Sequence, residues 1–403
     1  MGMLIPLPFP DQPGEPVFRA AEFFAGIGLV RLGLEKARFR VVWSNDIDED
    51  KHDMYVRHFR DPEGGEHQFH LGDVGAVKGD EVPDVDLAWA SFPCTDVSLA
   101  GNREGLAGKE SGTFFHFTRI LEEMKDRRPR VVALENVVGL ATSHKGQDLA
   151  EAIRRLNSLG YSVDVLTLDA RRFVPQSRPR LFLVGAMEPP EDVPEANPEL
   201  RPPWLRAPFA DPSLRTHRAF LPEPRPLLTE GLSQIVEKVP EKDPSWWDEK
   251  RTAAFLDSLS EVQAVRLEQL RKGRRVSYRT AYRRTRGGVP RWEIRTDDIA
   301  GCLRTARGGS SKQALVRAGR GKVMVRWMTP REYARLMGAG DYRLDGLRRN
   351  QALFGFGDAV AVPVVEWLAQ NYLLPLVEQN AAPAEPHPAT GIEEERQAVA
   401  AHG

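Results

Sequence analysis

"VFRAAEFFAGIGLVRLGLEKARFRVVWSND", residues 17–46, packs three elements into one short stretch. An apolar run ends in a turn carrying Gly26 and Gly28, an amphipathic segment follows over 27–37, and a second apolar run closes at Asp46. Strand, turn, helix and strand at this spacing form a βαβ unit, whose crossover makes neighbouring strands parallel. The alternation continues to residue 188. "VDLAWASF" (85–92), "RVVALENV" (130–137), "YSVDVLTLD" (161–169) and "PRLFLVGA" (179–186) read as strands. "TFFHFTRILEEMKDR" (113–127) and "GQDLAEAIRRLNSLG" (146–160) read as helices. The expected fold is α/β, a doubly wound, mostly parallel sheet covered on both faces. Ligands in such sheets sit beyond the carboxyl ends of the strands. The polar motifs of this region fall at those ends.

Bulk properties narrow the function classes. The 403 residues suffice for two domains and a large core. Charge is balanced, 56 Lys+Arg against 57 Asp+Glu, so the total implies no acidic partner and any basic patch must be local. Two cysteines exclude a disulfide scaffold and a Cys-rich zinc site and suit a reducing, cytoplasmic setting. The opening "MGMLIPLPFPDQPGEP" has neither the basic nor the apolar region of a secretory signal. No apolar run reads as a membrane span of about 20 residues.

Past Met187 the pattern breaks. Proline is dense from "EPPEDVPEANPELRPPWLRAP" to "PEPRP", which marks a domain boundary. "VMVRWMTPREYARLMG" (323–338) and "GDAVAVPVVEWLAQNYLLPLV" (357–377) read as helices with one apolar face. The expected organisation is an extension over 1–16, a catalytic part over 17–188, an inserted smaller domain over 189–322, a return to the catalytic domain over 323–379, and a disordered tail over 380–403.

Four places carry candidate chemistry. Gly26 and Gly28 let the backbone approach a ligand, and Asp46 stands about 20 residues on, where a ribose diol would be bound. Asp73 in "GDV" is a candidate for an adenine amino group. Arg31 replaces the third glycine of a dinucleotide fingerprint, so a nucleoside without phosphates fits better than a pyrophosphate; a plain tight turn is the alternative. Cys94 follows Pro93 in "SFPCTDVSLAG" (91–101), between an apolar run and a long polar loop, and is either a nucleophile or an inert thiol at a strand end. Cys302 reads as inert. Glu135 ends the apolar run "VVAL"; a carboxylate there must be paired or protonated. Arg178 and Arg180 alternate in "PQSRPR", pointing to one side, either to position an anion or to form a surface salt bridge.

Together, in order and spacing, these motifs resemble those of the DNA (cytosine-5)-methyltransferases over residues 17–188 and 323–375. "EFFAGIGLVRLGLE" resembles the family's cofactor motif, "SFPCTDVSLAG" its Pro-Cys nucleophile motif, and "ENV" and "QSRPR" its catalytic glutamate and paired arginines. "RWMTPREYARLMG" and "FGDAVAVPVV" resemble the two closing motifs. Two positions depart from the pattern: Thr95 stands where the family usually has Gln, and Asp358 where it usually has Asn. The resemblance implies a Rossmann-like methyltransferase core that binds S-adenosyl-L-methionine and needs no metal. It places Phe24, Gly26, Gly28, Asp46, Ile47, Asp73, Val74, Phe92, Asp358, Ala359 and Val360 around that cofactor. It implies that the Cys94 thiolate adds to carbon 6 of cytosine, that protonated Glu135 donates to ring nitrogen 3, and that Arg178 and Arg180 hold the base and the active-site loop. The base must be flipped out of the duplex for this chemistry.

The same resemblance gives residues 189–322 the role of reading the target. "RKGRRVSYRTAYRRTRGGVPR" (271–291) contains nine Lys/Arg and no Asp/Glu, with Tyr278 and Tyr282 interleaved. Uncompensated charges of one sign repel each other and suit phosphates; a solvated helical face is the alternative. Arg274, Arg275, Arg279, Arg283, Arg284 and Arg286, with Arg304 and Arg307 in the next glycine-rich stretch, are the expected contacts to double-stranded DNA. The implied role is restriction-modification or another host defence, with a cognate restriction or defence component as a partner of an otherwise monomeric enzyme. A tRNA cytosine-5 methyltransferase of the same fold, a nicotinamide oxidoreductase, a non-catalytic DNA-binding module and a scaffold are the competing classes. Of these, the oxidoreductase explains neither Pro93-Cys94 nor the basic run.

Overall fold

A computed structural model describes residues 17–62, 64–93, 112–194, 197–286, 288–304 and 312–381. Cys94, Thr95, Arg307, the extension over 1–16 and the tail beyond 381 lie outside the described residues.

The first half folds as its alternation requires. In chain order it runs β1 (Phe18–Phe23), α1 (Leu29–Leu34), β2 (Phe39–Asp46), α2 (Glu49–Phe59), β3 (Gln68–Leu71), β4 (Leu87–Ala90), α3 (Thr113–Glu123), β5 (Val131–Val137), α4 (Gln147–Ser158), β6 (Ser162–Asp169) and β7 (Pro179–Ala186). The strands form one sheet in the order β3-β2-β1-β4-β5-β7-β6. Successive side chains of a strand point to opposite faces. Leu87 and Trp89 therefore enter one core while Ala88 and Ala90 enter the other. β1 lies between β2 and β4, at the switch point where an open α/β sheet forms its ligand crevice.

Two elements are absent from the sequence reading. α2 buries only Met54 and Tyr55, too few to give a helical period, and is started instead by the Asp48 carboxylate, which accepts the Lys51 amide at 3.1 Å. β3 is an edge strand of only four residues, too short for the alternation of Phe69 and Leu71 with polar residues to mark it. "Mostly parallel" also acquires a location. β7 runs antiparallel between β5 and β6, so its first residues lie at the edge where the other strands end.

The second sheet is antiparallel, in the order β11-β10-β8-β9, from β8 (Ser277–Arg286), β9 (Val289–Ile294), β10 (Ala314–Gly319) and β11 (Lys322–Trp327). Two expectations change here. "VMVRW" is strand, not helix: Val323 and Val325 pair across from Ala318 and Val316. The helix begins only at Pro330, after a Thr329–Glu332 capping box. The boundary at 322 accordingly falls inside the β10–β11 hairpin. The basic run 271–291 is likewise mostly this hairpin sheet rather than a helical face. Residues 349–380 are long and apolar enough to cross a membrane by composition, contrary to the sequence reading. They are interrupted at 359–361, and Leu353, Phe356, Val365, Leu368 and Leu373 are buried in the core while Asp358, Gln370 and Glu378 are exposed, as for core helices with one apolar face.

The proline-dense segment is fastened to the first sheet by a buried ion pair. Arg201 Nε donates to Asp164 Oδ1 at 2.9 Å, and Asp164 Oδ2 also accepts from Tyr372 Oη at 2.9 Å and the Ala219 amide at 3.1 Å. Both charged side chains are almost fully inaccessible. Removing one member strands the other, at about 3–5 kcal/mol. Asp164→Ala should lower the unfolding free energy by about that amount in denaturant titration, whereas an exposed carboxylate such as Asp84 should be replaceable within about 0.5 kcal/mol.

Candidate active site

The turn after β1 is built for close approach. Phe24, Gly26 and Gly28 all have positive φ, 58°, 57° and 77°. A Cβ on Gly28 would come within 2.4 Å of Phe59 and 2.7 Å of Tyr55, so this glycine is required by packing. A Cβ on Gly26 would meet nothing within 4 Å; this is the open face of the turn. Asp46, from the end of β2, holds the turn: Oδ2 accepts the Gly26 amide at 2.8 Å and Oδ1 the Asp48 amide at 2.9 Å. Each oxygen keeps a second lone pair for a ligand hydroxyl. Ile47 beside it is 67% exposed, an apolar side chain in an otherwise polar rim. Asp73 is exposed and accepts the Gly75 amide at 2.8 Å, while Val74, Phe92 and Val360 are buried. Open space over Gly26, carboxylates for hydroxyl and amine groups, and an exposed apolar side chain fit a nucleoside with a polar tail.

Arg31 shows why a pyrophosphate does not belong here. Its guanidinium is bound by Asp61 at 2.6 and 2.8 Å and by Glu35 at 2.8 Å, and stacks 4.1 Å from the Phe59 ring centroid. That cation is satisfied internally.

The second half of the site follows from the antiparallel β7. Its register sets Arg180 opposite Val137, diagonal to Glu135. Arg180 Nε then lies 2.8 Å from Glu135 Oε1, with both side chains largely buried. Burial pushes the Glu135 carboxyl above its ordinary value, against the pull of Arg180 and Arg178. Asn136, the next residue, donates to the Phe92 carbonyl at 3.2 Å, and Phe92 packs on Phe114 at 5.4 Å between ring centroids. The chain at Phe92, two residues before Cys94 in the sequence, is therefore fixed to the strand that carries Glu135.

Of the two arginines expected to hold the base and the active-site loop, Arg178 is the more deeply buried. It is 1% exposed. Nη1 donates to Leu303 O at 2.8 Å and to Cys302 Sγ at 3.3 Å; Nη2 donates to Gly357 O at 3.0 Å and Ala359 O at 2.6 Å. It joins residues 302–303 to the end of the helix Arg349–Asp358, leaving Arg180 to face Glu135. Cys302, which reads as inert in the sequence, lies against both arginines. Burial raises its thiol pKa, but Arg178 and Arg180 outweigh that and bring it below the ordinary value. No local pattern marks such a thiol, because both cations arrive from 122 and 124 residues away. Glu22 is also hidden from the sequence. It sits within β1 with both oxygens unpartnered among the described residues, and burial holds its carboxyl well above the ordinary range.

Of the expected nucleic-acid contacts, Arg274, Arg275, Arg283 and Arg304 are exposed. Arg279 pairs with Asp298 at 3.5 Å; Arg284 pairs with Glu293 at 3.5 Å and stacks on Tyr282. Glu268 holds Arg271 at 2.6 Å and Lys272 at 3.5 Å. The basic run is thus partly compensated by carboxylates outside it.

Residues 18–373 match the family model for C-5 cytosine-specific DNA methylases. The chain belongs to that family. Similar relatives include the Type II methyltransferases M.BanI of Aneurinibacillus aneurinilyticus, 36% identical over 41% of this chain and 38% of its own length, and M.NlaX of Neisseria lactamica, 37% identical over 42% and 52%. The chain spans about half or less of the length of these relatives. In fold it is similar to the S. pombe Dnmt2 methyltransferase, with a TM-score of 0.56 at 15% identity over 91% of this chain and 100% of that one. The Entamoeba histolytica methyltransferase EhMeth superposes with a TM-score of 0.53 at 14% identity over 92% and 100%. The family's core therefore has the expected α/β, Rossmann-like methyltransferase architecture.

The raised Glu135 carboxyl has a consequence for stability. A group whose folded pKa is raised favours the folded state fully below its ordinary value of 4.5 and loses that contribution as pH rises through the folded value. Glu135→Gln does not titrate. Its stability relative to the unaltered protein should stay constant below about pH 4.5 and rise above it, reaching a plateau once Glu135 ionises. Denaturant midpoints measured from pH 4 to 8 test this, and a difference independent of pH would contradict it.

Proposed function

We propose that this methylase transfers a methyl group from S-adenosyl-L-methionine to carbon 5 of a flipped cytosine in a specific duplex sequence. It would act as a cytoplasmic monomer serving restriction-modification or another host defence. The buried Glu135–Arg180 pair carries the reading, because it sits at the same sheet edge as Pro93, directly before Cys94. Cofactor and target would enter from the carboxyl ends of β1, β4 and β5.

In this reading the Cys94 thiolate adds to carbon 6 of the cytosine, breaking its aromaticity and moving electron density to carbon 5. Glu135, kept protonated by burial, gives its proton to ring nitrogen 3 as negative charge develops there. Arg180 orients that carboxyl, and Arg178 holds the backbone around it. S-adenosyl-L-methionine, when bound, supplies a methyl group activated by its sulfonium. Gly26 gives it room, Asp46 accepts its ribose hydroxyls, and Ile47, Asp73 and Val74 line its base. Loss of the carbon 5 proton to solvent, with elimination of Cys94 and return of the ring nitrogen 3 proton to Glu135, restores the aromatic ring, the thiolate and the carboxylic acid. The second sheet and its exposed Arg274, Arg275, Arg283 and Arg304 bind the duplex.

Cys94→Ser should abolish turnover while leaving the folded state and cofactor binding intact. Duplex DNA carrying 5-fluorocytosine at the target should trap the unaltered protein as a covalent adduct, visible as a shifted band on a denaturing gel, because fluorine does not leave as a proton does. Absence of that band with cofactor present would refute the addition step. The same assay with tRNA separates the related RNA reading.

The exposed cations give a second test. Arg275 and Arg283 have no carboxylate partner among the described residues. Neutralising both should weaken binding to all duplexes alike and reduce the slope of log affinity against log salt by about two units, roughly 0.9 per contact. An unchanged slope with an altered target preference would assign them to base reading instead.

A further inference from the structure

The two faces of the second sheet meet different parts of the molecule. Ala281, Ile294 and Val316 face the helices Glu249–Asp257 and Glu261–Lys272, packing with Phe255 and Leu267. The opposite face turns toward the first core, where Leu315 is buried and Tyr278 packs against it. Thr280, paired across from Leu315, lies on that second face, and its Oγ1 accepts the Gly301 amide at 3.3 Å. The next residue, Cys302, touches Arg178 and Arg180, and Arg180 holds Glu135. The face that carries Thr280 is therefore the one that leads away from the candidate active site.

β10 covers β8 only as far as Ala281, which pairs with Ala314. Beyond that point, among the described residues, β8 pairs with β9 alone, from Tyr282 opposite Glu293 to Arg286 opposite Val289. The sheet thus ends in a two-stranded ribbon, an element that the major groove of a B-form duplex admits. Tyr282 and Arg284 continue the face of Thr280 at steps of about 7 Å. Arg284 stands directly opposite Arg291, and both are exposed. Like charges so placed destabilise the ribbon on its own. A ligand edge rich in hydrogen-bond acceptors relieves them.

Arg284 is also held in one orientation. Its guanidinium lies 5.0 Å from the Tyr282 ring centroid, and its Nε lies 3.5 Å from Glu293 Oε2 on the facing strand. The side chain nevertheless stays 49% exposed. The ion pair uses Nε and leaves the edge formed by Nη1 and Nη2 for a ligand. A phosphate asks chiefly for charge. An oriented planar fork suits the two acceptors on the edge of a guanine, N7 and O6. Arg283 points to the other face, opposite Trp292 in the ladder.

We propose that Arg284 is a specificity-determining residue that reads one guanine of the target duplex, with Tyr282 and Glu293 positioning its guanidinium. This rests on the methyltransferase reading above and goes beyond it by naming a base and the side chain that selects it. The ribbon also favours DNA over duplex RNA, whose A-form major groove is too narrow for side chains to read.

The test is methylation of a duplex DNA library randomised around a cytosine and read by bisulfite sequencing, for the unaltered protein and for Arg284→Ala. The unaltered protein should require guanine at one or more positions, on either strand. Arg284→Ala should lose the preference at one of them by about five- to 150-fold, the worth of one bidentate contact, and keep the others. Its melting temperature should not change. Replacing that guanine by 7-deazaguanine, which lacks the N7 acceptor, should slow the unaltered protein and leave Arg284→Ala unaffected. Both proteins should show the same slope of log affinity against log salt, because contact with a base edge releases no phosphate counterion. A target preference unchanged in Arg284→Ala would overturn the guanine contact. So would an equal loss of affinity for all sequences with a slope lower by about 0.9, which would make Arg284 a phosphate contact. Either result leaves the methyltransferase reading intact. If the unaltered protein methylated no member of the library, that reading would fail and the guanine contact with it.

Discussion

A guanidinium withdrawn from water must have its donors satisfied, or the charge is too costly to keep. Arg178 meets most of that requirement, its Nε alone lacking a partner among the described residues, with two distant stretches of chain: Cys302 and Leu303, and Gly357 and Ala359. Its own amide is anchored on Asp169 at the end of β6 at 2.7 Å. One buried cation therefore sets how the sheet edge, residues 302–303 and residues 357–359 lie relative to each other. The geometry around it is satisfied by backbone carbonyls, which sequence change at those positions does not remove.

The antiparallel β7 has the complementary effect. In an all-parallel sheet, the residues before a strand lie on the edge away from the ligand crevice. Reversing one strand brings its start to the crevice, so Arg180 reaches a glutamate more than forty residues earlier in the chain. Burial then outweighs the ion pair and keeps the carboxyl raised. Arg180 limits that rise and orients the group.

The inserted domain shows how charge density differs from charge availability. Nine cations in 21 residues suggest a uniformly phosphate-seeking surface. The β8–β9 hairpin and its neighbours bring Glu268, Glu293 and Asp298 to four of them. Such exposed pairs contribute little to stability. They do restrict the side chains, so the arginines without a carboxylate partner among the described residues keep the most freedom to move.

The sequence by itself determined the βαβ alternation, the turn at Gly26 and Gly28, and the family motifs around Glu135 and Arg180. These follow from local period, glycine and spacing, which need no tertiary information. It misread "VMVRW" as helix because a short apolar run is ambiguous in period, and pairing with β10 decides it. It passed over α2, whose stability comes from a cap and from charged contacts to the helix Arg349–Asp358 rather than from an apolar stripe. Arg178 donating to distant backbone carbonyls, Cys302 between two cations and Lys51 beside Asp358 were decided only in three dimensions. Each depends on groups brought together across more than a hundred residues, and the energy of a buried charge is fixed by its surroundings, not by its neighbours in the chain.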